Sequence, residues 1–246
     1  MSPFVLVPGW WLGGWAWQQV AAGLRAAGHD AYPVTLTGLD ERTHLASPSV
    51  DLETHVGDVL GLLAADDLHE VVLVGHSGAG PVVTAVADRA PERLARVVYV
   101  ESGPTPDGSS LLDSWPPDAR AAVEKAVADE GDGWRLPLPD WDTLALTASL
   151  DGLDGPTRET FRARATDQPA GPFTQPLLRS HPTLELPMTL VSCSFPLDQV
   201  RAMIDSGHPW FAELAGPHVR LVALQTGHWP MLSRPDDLAD LLAAEA

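Results

Sequence analysis

Val71-Val72-Leu73-Val74-Gly75-His76-Ser77-Gly78-Ala79-Gly80 decides how this chain of 246 residues is read. Its first four residues form an unbroken apolar run, the mark of a strand buried on both faces as in a parallel sheet. Small residues then make a tight turn, and a helix follows. A serine at the tip of such a turn sits on strained backbone so that its hydroxyl projects above the sheet. Residues two positions away on either side must then be small, which Gly75 and Ala79 satisfy. A serine hydroxyl is a poor nucleophile at neutral pH and needs a base within hydrogen-bond reach.

Around this segment, short β-branched runs alternate with stretches of helical period. Strands are predicted at residues 4–7, 31–34, 71–74, 97–100, 189–192 and 219–224. Trp17, Val20, Ala21 and Leu24 keep helical spacing, as do Leu52, Val56, Val59, Leu60 and Leu63, and a last helix is expected at about residues 236–244, after Pro235. The pattern predicts an α/β, doubly wound, mostly parallel sheet of about six strands with helices on both faces. It breaks at residues 104–187, where proline is dense and only residues 119–129 and 156–166 read as helices. The expected organisation is a core of residues 1–103 and 188–246 with residues 104–187 inserted as a small helical cap. Trp115, Trp134 and Trp141 would either line a pocket or form the cap's own small core.

The candidate base is His228, in Thr226-Gly227-His228-Trp229-Pro230 after the last strand and ahead of the final helix. His76, beside the serine, reads as structural. A tetrahedral oxyanion needs backbone N–H groups already aimed at it. One is expected from Gly78, after the serine, and one from Trp10, in the turn Val7-Pro8-Gly9-Trp10-Trp11 that follows the first strand. The third member is a carboxylate that accepts the other imidazole N–H. Glu101 and Asp198 compete for it. Asp198 follows the strand at residues 189–192 but lies a residue or two later than common spacings, whereas Glu101 stands at the C-terminal end of the strand at residues 97–100, where α/β sheets place their sites.

The strand, turn and helix around Ser77 resemble the nucleophile elbow of the α/β-hydrolases. The opening Val5 to Trp17, with Gly13-Gly14-Trp15-Ala16-Trp17, resembles the plant methyl-ester esterases, the hydroxynitrile lyases and their bacterial relatives. Leu36-Thr37-Gly38-Leu39-Asp40-Glu41-Arg42-Thr43-His44-Leu45, with Thr54-His55-Val56 after it, is similar to a second signature of that group. The resemblance implies a cofactor-free hydrolase with a small cap, acting on a modest ester. Within it, Glu101 is similar to the glutamate that some haloalkane dehalogenases use at this position, where bacterial esterase relatives often carry aspartate. Two departures stand out. Pro8 replaces the histidine usual before the oxyanion glycine, and Trp229 stands where the lyases carry lysine, which disfavours lyase chemistry of that type.

A formal charge of -18 repels phosphate backbones and anionic lipid, so neither nucleic acid nor membrane is an expected partner. Cys193 is the only cysteine and Lys125 the only lysine, which removes intrachain disulfides and leaves Schiff-base chemistry to a single cap residue. The N-terminus lacks the basic region and cleavage site of a signal peptide, so a cytoplasmic protein is expected. The combined expectation is a serine hydrolase that opens a small-molecule ester or lactone through an acyl-enzyme on Ser77, without metal or cofactor. An acyl transferase or lyase on the same residues, and a ligand-binding member of the fold without turnover, are the alternatives; a homodimer is left open.

Overall fold

Alternate residues of each central strand enter two different cores, and this period of two sets the layering. Six strands form one all-parallel sheet: β1 (Pro3–Val7), β2 (Asp30–Pro33), β3 (Val71–His76), β4 (Leu94–Val100) and, beyond a small antiparallel ribbon of β5 (Arg135–Leu136) with β6 (Gln168–Pro169), β7 (Met188–Ser192) and β8 (Val219–Ala223). Helices α1 (Gln18–Ala26), α2 (Leu52–Ala65) and α3 (Gly80–Arg89) alternate with the first strands. Between β4 and β7 lie α4 (Pro117–Asp129), α5 (Trp141–Leu144), α6 (Gly155–Arg164) and α7 (Gly171–Thr174); α8 (Leu197–Asp205) links β7 to β8, and α9 (Pro230–Ser233) and α10 (Pro235–Ala243) follow. The computed structural model describes residues 1–181 and 184–246; residues 182 and 183, at the far end of the expected insertion, lie outside the described residues.

Phe4, Leu6, Val72, Val74, Val98 and Val100 pack with Val20 and Leu24 of α1 and Leu238 and Leu242 of α10. Their neighbours Val5, Val7, Leu73, Val97 and Tyr99 pack on the other face with α2 and α3. Burial on both faces explains why these strands read as continuous apolar runs rather than alternating ones. All six predicted strands form, with bounds shifted by one to three residues.

The strand order is β2-β1-β3-β4-β7-β8. The chain leaves β1 for β2 on one side and returns to β3 on the other, which opens a crevice at the C-terminal ends of β1 and β3. Val7 is the register partner of Gly75 there, so the turn after β1 and the turn after β3 are held side by side.

The second family-like segment builds a support beside this crevice. Thr37 donates its N–H and its hydroxyl to the Asp58 carboxylate at 2.7 and 2.9 Å, Arg42 pairs with the same group at 2.9 Å, and His55 donates from Nε2 to the Thr37 carbonyl at 2.9 Å. Helix α2 opens on a reciprocal cap: the Asp51 carboxylate accepts the Thr54 N–H at 2.9 Å, and the Thr54 hydroxyl accepts the Asp51 N–H at 3.3 Å.

The described part of residues 104–187 adds no strand to the main sheet. Its Leu112, Leu136, Leu144, Leu153, Phe161 and Phe173 join the same apolar cluster as Phe4 and Leu6, so it shares a core with the sheet. Among the described residues no helix is long and apolar enough to cross a membrane. Asp51→Ala, which removes the cap of α2, is expected to lower the free energy of unfolding by about 1 kcal/mol, read from urea titrations.

Candidate active site

Ser77 has φ of +48°, a left-handed conformation that a side chain-bearing residue adopts only when its surroundings impose it. Close packing imposes it. A Cβ on Gly75 would stand 2.7 Å from the Val83 side chain of α3, so the elbow closes only around glycine. Behind the turn, the Ser102 hydroxyl donates to the Ser77 carbonyl at 2.7 Å.

The Ser77 Oγ lies 2.7 Å from His228 Nε2, and His228 Nδ1 lies 3.2 Å from Glu101 Oε2. A carboxylate acceptor on Nδ1 fixes the neutral ring with its proton there, leaving Nε2 to accept from the serine. The Glu101 side chain is only 2% exposed. Its Oε1 accepts the N–H groups of Cys193 at 2.5 Å and Ser194 at 3.0 Å, and its Oε2 accepts the Ser194 hydroxyl. Burial by itself would raise the Glu101 pKa; the hydrogen bond and charge of His228, with the Ser194 hydroxyl and Cys193 amide, outweigh it and hold the carboxyl below its ordinary value.

The His228 loop is held from two sides. The His228 N–H donates to the Ser149 carbonyl at 2.9 Å and the Gly227 N–H to the Asp151 carbonyl at 3.1 Å, both in the inserted segment. From the sheet side, His76 Nε2 donates to the His228 carbonyl at 2.8 Å. Burial first, and the neighbouring His228 second, push the His76 pKa down to about 3, so it remains a neutral donor.

The turn after β1 abuts the elbow. A Cβ on Gly9 would stand 3.1 Å from Ser77 Cβ, and one on Gly78 would overlap the Trp10 indole. Among the described residues the Trp10 N–H has no hydrogen-bond partner. The Trp10 ring stacks on Trp115 at 5.5 Å and meets Phe173 at 4.6 Å, an apolar wall beside the serine. Trp141 instead packs on Phe161 at 5.5 Å, and Trp134 lies under the Arg135 guanidinium; of the three, Trp115 is the one stacked on Trp10.

These observations can be set beside known proteins. A family model described as "Alpha/beta hydrolase family" matches residues 4–241. The chain is an α/β hydrolase. It is 34% identical over 259 residues to the "Carbendazim hydrolyzing esterase" of Nocardioides sp. (strain SG-4G), covering 99% of both chains. It is 38% identical over 104 residues to "Methylesterase 7" of Arabidopsis thaliana, a match that spans 39% of this chain and 38% of the plant protein. Among solved structures, an extracellular α/β-hydrolase from a Paenibacillus species superposes with a TM-score of 0.84 at 22% identity, over 99% of this chain and 98% of the other. The resemblance to the plant esterases and their bacterial relatives therefore holds, and this is an esterase-type α/β hydrolase, a carboxylic ester hydrolase.

One candidate of the sequence reading is corrected. Asp198 does not approach His228: its side chain is 94% exposed in the first turn of α8 and pairs with Arg201 at 3.0 Å. The chain turns at Cys193 and Ser194 to aim two amides at Glu101, and by Pro196 it already heads outward into α8. A cleft of about 750 Å³ opens on this side of the hydrolase between the loop Ser192 to Asp198 and Thr226, Ser233 and Arg234, but neither Ser77 nor Trp10 lines it. The sequence reading did not single out Ser102 or Ser194, and it had no signal for them, because their partners lie 25 and 93 residues away.

The buried neutral His76 has a consequence for stability. Its folded-state pKa lies below the unfolded value of about 6.5, so below that pH the unfolded chain binds the extra proton and stability falls as pH drops toward 3. Between pH 6.5 and 4.5 the parent should therefore lose stability more steeply than His76→Gln, by up to about 1.4 kcal/mol per pH unit, in denaturant titrations run at each pH.

Proposed function

We propose that this hydrolase cleaves a carboxylic ester or lactone through an acyl-enzyme on Ser77. The observation that carries the reading is the continuous relay from the Ser77 Oγ through both nitrogens of His228 to the Glu101 carboxylate, at 2.7 and 3.2 Å. In acylation the Ser77 oxygen adds to the substrate carbonyl carbon as its proton passes to His228 Nε2. The oxyanion is met by the N–H groups of Trp10 and Gly78. His228 returns the proton to the departing alkoxide, and the alcohol leaves. A water then adds to the acyl carbon, its proton passes to His228, and collapse of the second tetrahedral intermediate frees the acid and restores the serine.

Glu101 serves as the charged acceptor that fixes the imidazole tautomer and stabilises the imidazolium. The Trp10, Trp115 and Phe173 wall suits an apolar or aromatic substrate portion. Acyl transfer would use the same intermediate with an alcohol or thiol in place of water. Lyase chemistry that needs a cation after the base has no group for it, because Trp229 is 3% exposed and packs edge-on against His228 at 4.9 Å. The residues of this mechanism call on no cofactor, and the lone buried Cys193 suits a cytoplasmic setting.

Ser77→Ala is expected to lower kcat for an aryl ester by several orders of magnitude, on the order of 10⁶, with an unchanged circular-dichroism spectrum; retention of a tenth of the activity would contradict the mechanism. Glu101→Gln should cost roughly 10³ to 10⁴ in kcat, while Asp198→Asn stays near the parent. Parent-like turnover by Glu101→Gln would remove Glu101 from the relay.

A further inference from the structure

Trp11, the residue after the proposed oxyanion donor, is answered entirely by the inserted segment. Its backbone N–H donates to Gln168 Oε1 at 3.3 Å, its indole Nε1 donates to the Leu136 carbonyl at 2.9 Å, and its carbonyl accepts the Thr166 N–H at 3.0 Å. Leu136 and Gln168 are register partners in the β5–β6 ribbon, so one small element grips both the main chain and the ring of Trp11. Gln168 is 3% exposed, and its Nε2 donates to the Pro169 carbonyl at 3.2 Å, which leaves Oε1 as the atom that faces Trp11. Trp11 has φ of +65°, a conformation a bulky aromatic residue does not hold unaided.

We propose that Gln168 is a positioning residue for the oxyanion site: with Leu136 it locks Trp11 in its left-handed conformation and thereby aims the free N–H of Trp10 at the reacting carbonyl. The turn is pinned upstream by the pairing of Val7 with Gly75 and downstream by this grip, and Trp10 lies between the two anchors. Pro8 has no side-chain hydrogen-bonding group to brace the turn from within, and the ribbon does so from outside. The inference rests on the acyl-enzyme reading, since it concerns the donor that reading assigns to Trp10.

The test uses Gln168→Met, which keeps the length of the side chain and removes the acceptor, and Trp11→Phe, which keeps a ring and removes the indole donor. Each is assayed with an aryl ester and with an aryl trifluoromethyl ketone. The Ser77 oxygen adds to the carbonyl carbon of that ketone while its proton passes to His228, leaving an alkoxide in the oxyanion site. The expected result for both folded variants is a fall in kcat of about 10- to 100-fold, the effect of misplacing a catalytic group by up to about an ångström. KM should stay within a few-fold, ketone affinity should weaken by a similar factor, and the midpoint of the pH profile of kcat/KM should not move. If Gln168→Met does not fold, Trp11→Phe carries the test. Parent-like kcat and ketone affinity in the folded variants would overturn the role, as would a loss of kcat with ketone affinity unchanged. A parent enzyme that binds the ketone no better than Ser77→Ala would instead overturn the acyl-enzyme reading, and this role with it.

Discussion

The parallel register that sets Val7 beside Gly75 is the constraint on which the site depends. It places the turn after β1 against the turn after β3 at the point where the sheet's winding reverses, and β4 adjoins them on the far side. The residues delivered there, Trp11, Ser77 and Glu101, all have positive φ, at +65°, +48° and +50°. Each such conformation costs about 1–3 kcal/mol and persists only where its surroundings over-determine it. Those surroundings are specific: the Ser102 hydroxyl behind Ser77, the amides of Cys193 and Ser194 on Glu101, and the ribbon around Trp11.

Electrostatically the site depends on keeping one of two neighbouring imidazoles neutral. The rings of His76 and His228 are 5.1 Å apart. A charge on His76 would oppose the imidazolium that the proposed mechanism forms on His228. Burial prevents it, and the neutral ring uses its one N–H to hold the His228 backbone. Glu101 faces His228 across the Nδ1 contact, held below its ordinary pKa by His228 itself and, after it, by the Ser194 hydroxyl and Cys193 amide of the β7 loop.

The inserted segment does more than cover the strand ends. Ser149 and Asp151 hold the His228 loop, while Gln168, Leu136 and Thr166 hold the turn that carries Trp10. Both halves of the site outside the elbow are therefore tied to the insertion, and a movement of it would disturb both together. Trp115 shares in this by stacking on Trp10.

Much of the architecture was legible in the chain because its signals are local. Apolar runs buried on both faces read as strands without knowledge of their partners, and the small residues around Ser77 announce an elbow because no larger side chain fits. His228 was legible by its order after the last strand. The choice between Glu101 and Asp198 was not, since both follow strands at plausible distances and the decision lies in where the loop 193–196 points its amides. Gln168 gave no signal at all: a glutamine in a proline-rich stretch acquires meaning only when β5 and β6 pair and bring it 157 residues back to Trp11. Sequence by itself determined the sheet, the elbow and the place of Ser77 at its tip, through steric and hydrophobic rules that act over a few residues. Tertiary structure alone decided which carboxylate meets His228 and what braces the turn after β1, because those contacts join segments that nothing in local chain geometry brings together.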